Sequence, residues 1–391
     1  RHSTRSRAVR AATLAGVAAL ATLAACSGDD DATPTTTEPV TTTAAPTTVA
    51  PTTTAPPTTT EAPTTTAAPT TAAPTTVPPT TVPAVPRQPL TGVPVASEAD
   101  INPRPALVVK IDNATPAGGR HNGLGAADLV FEEIVEGNIT RFAAVFHSRD
   151  SDPVGPIRSG RSQDVDLLTS LRNPLFAWSG GNPGVERAIR ESTFIDLNPK
   201  HTPAYYRGPG SAPHNLYSST QRLWQEIPFG HPGAPPQQFT YLSEGEVFEG
   251  DPVAGVDMRV GGVPVSWTWA PEEHAFVRSQ RGRVHVDQQH GPIGATNVVL
   301  MVVEYYPDPI DTRSPMAHTL GNGPAYIFSD GKAYEARWSR LTPDDPIRLQ
   351  KVGTGEIVPI NPGNTWIELL RAGENPNGDI NWPTAEFTIR Y

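Results

Sequence analysis

The residues with the clearest chemical potential are four carboxylates, Asp112, Asp128, Glu132 and Glu136. Paired carboxylates are the groups that move protons when a glycosidic bond is hydrolysed, so Glu132 is a candidate acid/base. On one strand, Glu132 and Glu136 would lie about 13 Å apart at about 3.3 Å per residue, whereas glycosidase carboxylates lie about 5 to 9.5 Å apart. A catalytic pair would therefore need a carboxylate from another strand, such as Asp112, or a bend at Gly137. The alternative is that these acids cap turns or neutralise buried arginines.

Arginines that could bind an anion lie nearby in the sequence. Arg158 and Arg161 flank a Ser-Gly turn that leads into a predicted helix, and Arg141 precedes them. A guanidinium group binds carboxylate or phosphate through two parallel hydrogen bonds, and the start of a helix offers free N–H groups. The bound anion could be a ligand, such as a peptidoglycan stem peptide, or Glu132 and Glu136 of the same chain. The sequence leaves both interpretations open.

His214 and Asn215 lie in a predicted loop and could supply a neutral base and an amide donor. His214 is therefore a third catalytic candidate beside Glu132 and Asp112, and Asn215 a candidate ligand-binding residue. The histidines His285, His290 and His318 lack metal-ligand spacing. Phosphate-binding glycine loops and dinucleotide fingerprints are also absent from the sequence. We expect neither a metal nor a cofactor.

The elements that position these residues in the first half are predicted from apolar runs and turn signals. Gly137-Asn138 marks a tight turn between two apolar runs, which predicts a β-hairpin. Val165, Leu168 and Leu171 recur at helical spacing, and a cap at Ser218 or Ser219 predicts another helix start. The predicted strands are 106–111, 129–135, 139–146 and 175–178, and the predicted helices are 162–172, 184–191 and 219–226.

From Asp257 onward the chain alternates apolar and polar residues between glycines and prolines, which is typical of strands. Asp330-Gly331 is the clearest hairpin turn. The predicted strands are 265–269, 275–278, 297–305, 325–328, 332–338 and 365–370. We expect four aromatic residues to lie in the core rather than on a sugar-binding surface: Trp267, Trp269, Trp338 and Trp366.

Cys26 is the single cysteine of the chain and follows a basic segment and a short apolar run. The run is too short to span a bilayer, and its layout is that of a signal peptide covering residues 1–25. Its Leu-Ala-Ala-Cys ending resembles the bacterial lipobox, which implies that Cys26 carries a lipid after cleavage. Because the first residue is Arg, we expect at least one residue to precede it.

Residues 26–86 consist largely of Thr, Pro, Ala and Val. This composition cannot form a packed core, and dense proline favours extended conformations. We predict a disordered stalk between the lipid and the folded part, and hence a protein on the extracytoplasmic face of the cell membrane. The formal net charge of −10 argues against nucleic acid as a partner. The expected partners are the membrane, through the lipid anchor, and a cell-wall component or an envelope protein.

The remaining roughly 300 residues are enough for two domains. The predicted fold class is α+β, with a mixed α/β N-terminal domain over residues 87–248 and a mostly antiparallel β C-terminal domain over residues 249–391.

A specific resemblance covers essentially the whole chain after the stalk. The chain resembles the YerB-like bacterial lipoproteins, a family of unknown function numbered 3048, at motifs in both halves. The motifs are Asp112-Asn113, Gly123-Leu124, Ala127-Asp128, Glu132, Val135-Glu136-Gly137, Thr140-Arg141, Val154-Gly155-Pro156, Arg158, Arg161, Ala212-Pro213-His214-Asn215-Leu216-Tyr217, Phe328-Ser329-Asp330-Gly331-Lys332 and Asn361-Pro362-Gly363-Asn364-Thr365-Trp366-Ile367. The resemblance implies an anchored lipoprotein with two domains and carries no established activity. The loop 117–121 and Asn138 depart from the expected pattern.

Two classes of function follow from these observations. The first is a binding or scaffolding module that uses Arg141, Arg158 and Arg161, with Glu136 and Asn215, to hold an envelope ligand or protein. The alternative is a hydrolase of cell-wall glycan or peptide with Glu132 as acid/base. Whether the protein is an enzyme stays open at this point.

Overall fold

The computed structural model describes residues 85–373 and 385–391. The predicted signal peptide 1–25, the lipidation site Cys26 and the stalk up to residue 84 lie outside the described residues. In the described part of the chain, no helix is both long and apolar enough to cross a membrane.

The first half combines strands with short helices. Its strands are β1 (Leu107–Asp112), β2 (Leu129–Ile134), β3 (Thr140–Phe146), β4 (Leu175–Ala177), β5 (Ile195–Asp196), β6 (Tyr206–Arg207) and β7 (Leu216–Tyr217). Its helices are α1 (Gln163–Leu168), α2 (Pro183–Glu191) and α3 (Thr220–Trp224), and its 3₁₀ turns are Glu98–Asp100, Thr115–Ala117, Leu124–Ala126, Glu136–Asn138 and Thr169–Leu171. Side-chain caps fix two of the helix starts, because Asn182 and Ser219 accept hydrogen bonds from backbone N–H groups of α2 and α3.

The second half, as far as the structure describes it, is built from strands. They are β8 (Asp251–Pro252), β9 (Gly255–Val260), β10 (Val263–Ala270), β11 (Ala275–Gln280), β12 (Arg283–Val284), β13 (Val286–Asp287), β14 (Gly291–Pro292), β15 (Gly294–Ala295), β16 (Asn297–Val303), β17 (Tyr305–Pro307), β18 (Pro315–Ala317), β19 (Gly321–Ser329), β20 (Lys332–Arg340), β21 (Arg348–Lys351), β22 (Thr365–Arg371) and β23 (Phe387–Arg390).

One large sheet contains strands of both halves. Its order is β21-β20-β19-β16-β22-β2-β3-β1-β4-β5, and β8 pairs with β20. β22 lies between β16 and β2 and is parallel to both, while β1, β4 and β5 form a second parallel segment. The other neighbours are antiparallel, including the β2–β3 hairpin predicted from Gly137-Asn138 and the β19–β20 hairpin predicted from Asp330-Gly331.

A smaller antiparallel sheet packs against one face of the large one. Its order is β12-β11-β10-β9-β23, and β15 pairs with β11. The core between the sheets includes Ile111 and Phe142 of the first half with Val265, Trp267 and Trp366 of the second. The hydrophobic core is therefore shared between the halves.

The opposite face of the large sheet is covered by helices α1 and α2 and by the segment around residues 239–248. Val108, Phe131 and Val145 of the sheet pack there with Leu167 and Ile189 of the helices. Because both faces are covered, every residue of β1, β2 and β3 is buried. Charged residues on these strands must therefore find partners inside the protein.

The structure confirms the predicted α+β class, and strands and helices lie at the predicted positions, whereas β9 was not predicted. The expectation of a mostly antiparallel second half holds apart from β22, whose parallel neighbours lie far away in the sequence. The predicted division near residue 248 falls between strands of one continuous sheet. Trp267, Trp338 and Trp366 are buried, as expected for core residues, and Trp269 is partly buried.

Candidate functional site

Three arginines from two segments come together at one end of β1. Asp112, the last residue of β1, lies opposite Arg141 of β3 in the strand register. The chain from Pro156 to Arg161 then runs alongside β1, with the Arg158 N–H donating to the Lys110 carbonyl at 2.8 Å. We call Arg141, Arg158 and Arg161, with Asp112, Glu136 and His214, the arginine cluster.

Glu136 is the acceptor for two of these arginines. Its carboxylate accepts from Arg141 Nη2 at 3.0 Å and from Arg161 Nε at 2.9 Å. Glu136 reaches them because the strand ends before it: the turn Glu136–Asn138 contains Gly137 and Asn138 at positive φ. The Glu136 side chain is 41% exposed, whereas those of Arg141 and Arg161 are buried. The predicted internal ion pairing thus exists for Glu136, at a position that solvent reaches.

Asp112 organises the other side of the arginine cluster. His214 Nδ1 lies 2.5 Å from Asp112 Oδ2, and Arg158 Nε lies 3.6 Å from the same oxygen. Asp112 also accepts from the backbone N–H of Ala114 at 3.0 Å. Asp112 is buried, while the side chains of Arg158 and His214 are 23% and 20% exposed. A buried carboxylate therefore holds two side chains that reach solvent.

The charges of the arginine cluster do not balance. Three guanidinium groups face two carboxylates. Burial, together with the neighbouring Arg161, lowers the pKa of Arg141 to about 10. Burial alone would raise the pKa of Glu136, but Arg141 and Arg161 lower it to about 2. Among the described residues, the buried Nε atoms of Arg141 and Arg158 have no hydrogen-bond partner. The arginine cluster thus carries a net positive charge, while these two unpaired Nε atoms lie out of reach of solvent.

Glu132 lies in a separate and fully buried network. Its carboxylate accepts from Thr140 Oγ1 at 2.6 Å and from the guanidinium of Arg278, which comes from β11 in the second half. Asn113 donates to Thr140 at 2.7 Å and exchanges hydrogen bonds with Gln280. Because Glu132 has no exposed surface and is held by an ion pair, its geometry does not support the prediction of an acid/base that reaches a substrate.

A chain of hydrogen bonds connects this buried ion pair to the arginine cluster. Arg278 Nη1 donates to His285 Nδ1 at 2.7 Å, since arginine has only donors. His285 Nε2 then donates to His121 Nδ1 at 2.8 Å, and His121 Nε2 donates to the Asp112 carbonyl at 2.7 Å. Burial lowers the pKa of both histidines. Both imidazoles are therefore neutral, with each tautomer fixed by its neighbours.

Glu368 of β22 also faces Arg278, with Oε1 3.7 Å from Arg278 Nε and 2.9 Å from Trp267 Nε1. Burial and the nearby Glu132 raise the pKa of Glu368 well above its ordinary value. Arg278 thus faces two buried carboxylates and contacts Glu132 more closely than Glu368.

Lys110 is the centre of a third buried group. Its ammonium contacts Glu133 and lies 2.6 Å from Asp164 Oδ1, and Asp164 Oδ2 accepts from the Arg161 backbone N–H at 2.6 Å. Burial and Asp164 raise the pKa of Glu133 to about 8. This group supports the turn that carries Arg161.

Other predicted residues have structural contacts. Asn215 donates to the carbonyls of Gly208 and Gly210 at 3.0 and 2.9 Å and accepts from Arg207 at 3.1 Å, so it shapes the loop before His214. Asp128 accepts from the backbone of Ser148 at 2.8 Å and caps that turn. The described residues contain no group of His, Cys, Asp and Glu that could hold a metal ion.

Sequence reasoning missed Arg278, Glu368 and Lys110. Strand periodicity contained a signal for Arg278, since it follows Phe276 by two residues and so shares its buried face. Lys110 and Glu368 each interrupt an apolar run that becomes a strand buried on both faces. A charge in such a run needs an internal partner, although the run does not indicate which one.

A cavity of about 280 Å³ lies beside Glu136. The lining residues include Glu136, Asn138, Tyr305, Tyr306, Arg313 and Arg371. The Arg371 guanidinium carbon lies 4.9 Å from the centroid of the Tyr305 ring. The cavity gives a ligand access to the exposed side of Glu136.

Comparisons with known proteins match both halves of the chain. Residues 90–231 match the domain described as "Protein of unknown function (DUF3048) N-terminal domain", and residues 256–367 match its C-terminal domain. The chain is 26% identical over 304 residues to a Bacillus subtilis (strain 168) protein named "Putative lipoprotein YerB", covering 73% of this chain and 86% of that protein. The crystal structure of YerB from Bacillus subtilis has a TM-score of 0.64 at 21% identity, covering 78% of this chain and 99% of that one. That likeness shows a common fold.

Proposed function

Because the chain belongs to the DUF3048 family, with a Bacillus relative named as a lipoprotein, we propose that it is a lipid-anchored binding protein of the cell envelope. Its arginine cluster binds an anionic group of an envelope ligand. The lipid on Cys26 holds the protein to the extracytoplasmic face of the membrane, and the stalk carries the folded part away from it.

The observation that carries this proposal is the placement of Glu136. Glu136 is a partly exposed carboxylate held by Arg141 and Arg161 at 3.0 and 2.9 Å. A carboxylate in this position shows the geometry with which the arginines hold an anion. Arg158 adds a further guanidinium, and its side chain is 23% exposed. A ligand carboxylate or phosphate approaching from solvent binds Arg158 and competes with Glu136.

The hydrolase alternative with Glu132 has weaker support. Glu132, Arg278 and Glu368 have side chains without exposed surface, and an acid/base must come within hydrogen-bond reach of its substrate. His214 reaches solvent and contacts the buried Asp112, but both belong to the arginine cluster, where they position charge around Arg158.

The test is calorimetric titration of the full chain with a synthetic peptidoglycan stem peptide, chosen because its carboxylates suit the arginine cluster. We expect saturable binding that weakens as salt is added. Arg158→Ala should weaken it about tenfold or more, the loss expected for a charged hydrogen bond.

Arg259→Ala is the matched control. Arg259 lies on β9, is exposed and pairs with Glu386, which is not part of the arginine cluster. Equal affinities for wild type, Arg158→Ala and Arg259→Ala would overturn the proposal, as would the absence of saturable binding of the stem peptide.

A further inference from the structure

A second cavity lies near the loop that carries His214, and its walls come from four segments. It has a volume of about 270 Å³ and is lined by residues that include Arg120, Asn122, Tyr206, Tyr217 and Gln288. We call it the tyrosine pocket. Tyr206 and Tyr217 are opposite one another in the pairing of β6 with β7, while Arg120 comes from the loop after β1. Gln288, from the second half, is held by its backbone N–H to the His121 carbonyl at 2.8 Å.

The two tyrosines form an aromatic surface. Their ring centroids are 6.1 Å apart, with an angle of 28° between the planes. Tyr217 is buried and its hydroxyl donates to the Arg120 carbonyl at 3.2 Å, whereas Tyr206 is 40% exposed. An exposed aromatic residue backed by a fixed second ring offers a rigid, electron-rich face. The C–H groups on one side of a sugar ring are complementary to such a face.

The pocket walls approach one another closely at two glycines, which have no side chains. A Cβ atom on Gly208 would lie 2.7 Å from the Tyr217 ring, and one on Gly210 would lie 2.9 Å from Arg120 Nη1. Gly210 also has a φ of +99°, which disfavours other residues. The backbone of this loop therefore approaches both the ring and the guanidinium closely, and Asn215 holds it there through the Gly208 and Gly210 carbonyls.

Polar groups converge on the aromatic surface. Arg120 uses Nη1 to donate to the Pro116 carbonyl at 2.6 Å. In the described structure the Arg120 guanidinium has no carboxylate partner, and Gln288 is exposed. A guanidinium group without an acid suits a carboxylate on the ligand, and amide side chains suit hydroxyl or amide groups.

From these features we propose that the tyrosine pocket binds one sugar residue that carries a carboxylate. The sugar ring stacks on Tyr206, and its carboxylate pairs with Arg120. Drug-sized ligands occupy pockets of about 300 to 1,000 Å³, so a cavity of about 270 Å³ suits a single ring. The site is separate from the arginine cluster, so this proposal can be tested independently of the anion binding proposed above.

The experiment is a saturation-transfer NMR titration of the full chain with N-acetylmuramic acid, which carries a carboxylate, and with N-acetylglucosamine, which does not. We expect the acidic sugar to bind at least about tenfold more tightly, because the neutral one leaves Arg120 without its charged hydrogen bond. Arg120→Ala should abolish that preference while leaving the weaker binding of the neutral sugar.

Variants at Tyr206 test the stacking contact. Tyr206→Ala should weaken binding of the acidic sugar about tenfold, the loss expected for one stacking contact, whereas Tyr206→Phe keeps the ring and should bind like wild type. Tyr391→Ala removes a tyrosine that is 81% exposed elsewhere and is the control. Far-ultraviolet circular dichroism and thermal unfolding of each variant show whether it is folded.

Three results would overturn the inference: equal binding of the acidic and neutral sugars, unchanged binding by folded Tyr206→Ala, or displacement of the sugar by acetate at equal concentration. Loss of stem-peptide binding in Arg158→Ala with sugar binding intact would support two independent sites.

Discussion

His285 Nε2 donates a hydrogen bond to His121 Nδ1 at 2.8 Å, and this contact joins the two halves of the chain inside the core. Each imidazole already uses both ring nitrogens, so an added proton on either histidine would remove an acceptor that its neighbour needs. Arg278 on one side makes a positive charge on His285 still less favourable.

The free energy of unfolding should therefore fall as pH drops below 6.5. Burial lowers the folded-state pKa of His121 and His285, so the unfolded chain binds more protons below pH 6.5 and the stabilisation is lost as pH falls toward the folded-state pKa. Urea unfolding between pH 7 and 5 measures this slope. His121→Gln should flatten it and exposed His274→Gln should not; identical slopes in the two variants would contradict the assignment.

The contribution of Glu133 to the free energy of unfolding should depend on pH in the opposite sense. Its folded-state pKa is raised from 4.5 to about 8 by burial and Asp164, so the folded chain binds more protons than the unfolded chain between these values. Its contribution to stability is present below about pH 4.5 and is lost as pH rises toward 8. Glu133→Gln keeps a polar partner for Lys110 and should reduce that loss. An unchanged alkaline slope would show that Glu133 is ionised throughout.

Breaking the Arg278–Glu132 ion pair should be strongly destabilising. Both side chains have no exposed surface, and removal of one partner leaves an unpaired charge in the core, a loss of about 3 to 5 kcal/mol. Arg278→Met should therefore lower the free energy of unfolding by that amount in urea titrations. Arg259→Ala breaks an exposed pair with Glu386 and should change stability by about 1 kcal/mol or less. Similar losses in both variants would contradict the burial argument.

Glu136→Gln should strengthen binding of an external anion. The Glu136 carboxylate occupies Arg141 and Arg161 in the free protein, so its neutralisation removes a competitor. The Kd of the stem peptide should fall about tenfold, which corresponds to about 1.4 kcal/mol. The same titration with Glu246→Gln, which changes an acid that caps the turn at Ser243, is the control. Weaker binding in Glu136→Gln would mean that Glu136 contacts the ligand as an acceptor.

Gly255→Ala should destabilise the smaller sheet by steric clash. A Cβ atom there would lie 2.1 Å from the Trp267 carbonyl oxygen, at a φ of +152°. Gly282→Ala is the control, because Gly282 also has a positive φ but nothing lies within 4 Å of its Cβ position. A side chain at positive φ costs about 1 to 3 kcal/mol, and the clash should add about 1 to 3 kcal/mol at Gly255. Thermal unfolding of the two variants measures the difference.

Local pattern predicted much of the fold. The alternation in β10 and β20 and the turns at Gly137-Asn138 and Asp330-Gly331 gave strand positions close to those observed. The pattern contained no information about which distant strand lies beside β22, because its apolar run would suit any position buried on both faces.

The candidate site was predicted only in part, because local pattern does not indicate contacts between distant segments. Glu136 and Arg161 lie close enough in sequence that a turn and a helix start indicate their pairing. Glu132 and Arg278 are brought together only by the packing of two sheets, so the sequence left open whether Glu132 acts on a substrate or neutralises a buried arginine. The Asp112–His214 contact depends on a long loop that no periodic pattern describes.

The position of β22 affects how the chain reaches its folded state. Leu129 of β2 pairs with Thr365, and Asn297 of β16 pairs with the same residue from the other side. Until β22 is in place, β2 and β16 each present an unpaired edge, which is prone to pair with other chains. Sheet closure waits for a strand that lies far along the chain from β2, and such non-local pairing is slow. A folding intermediate that lacks β22 is thus the species most exposed to aggregation.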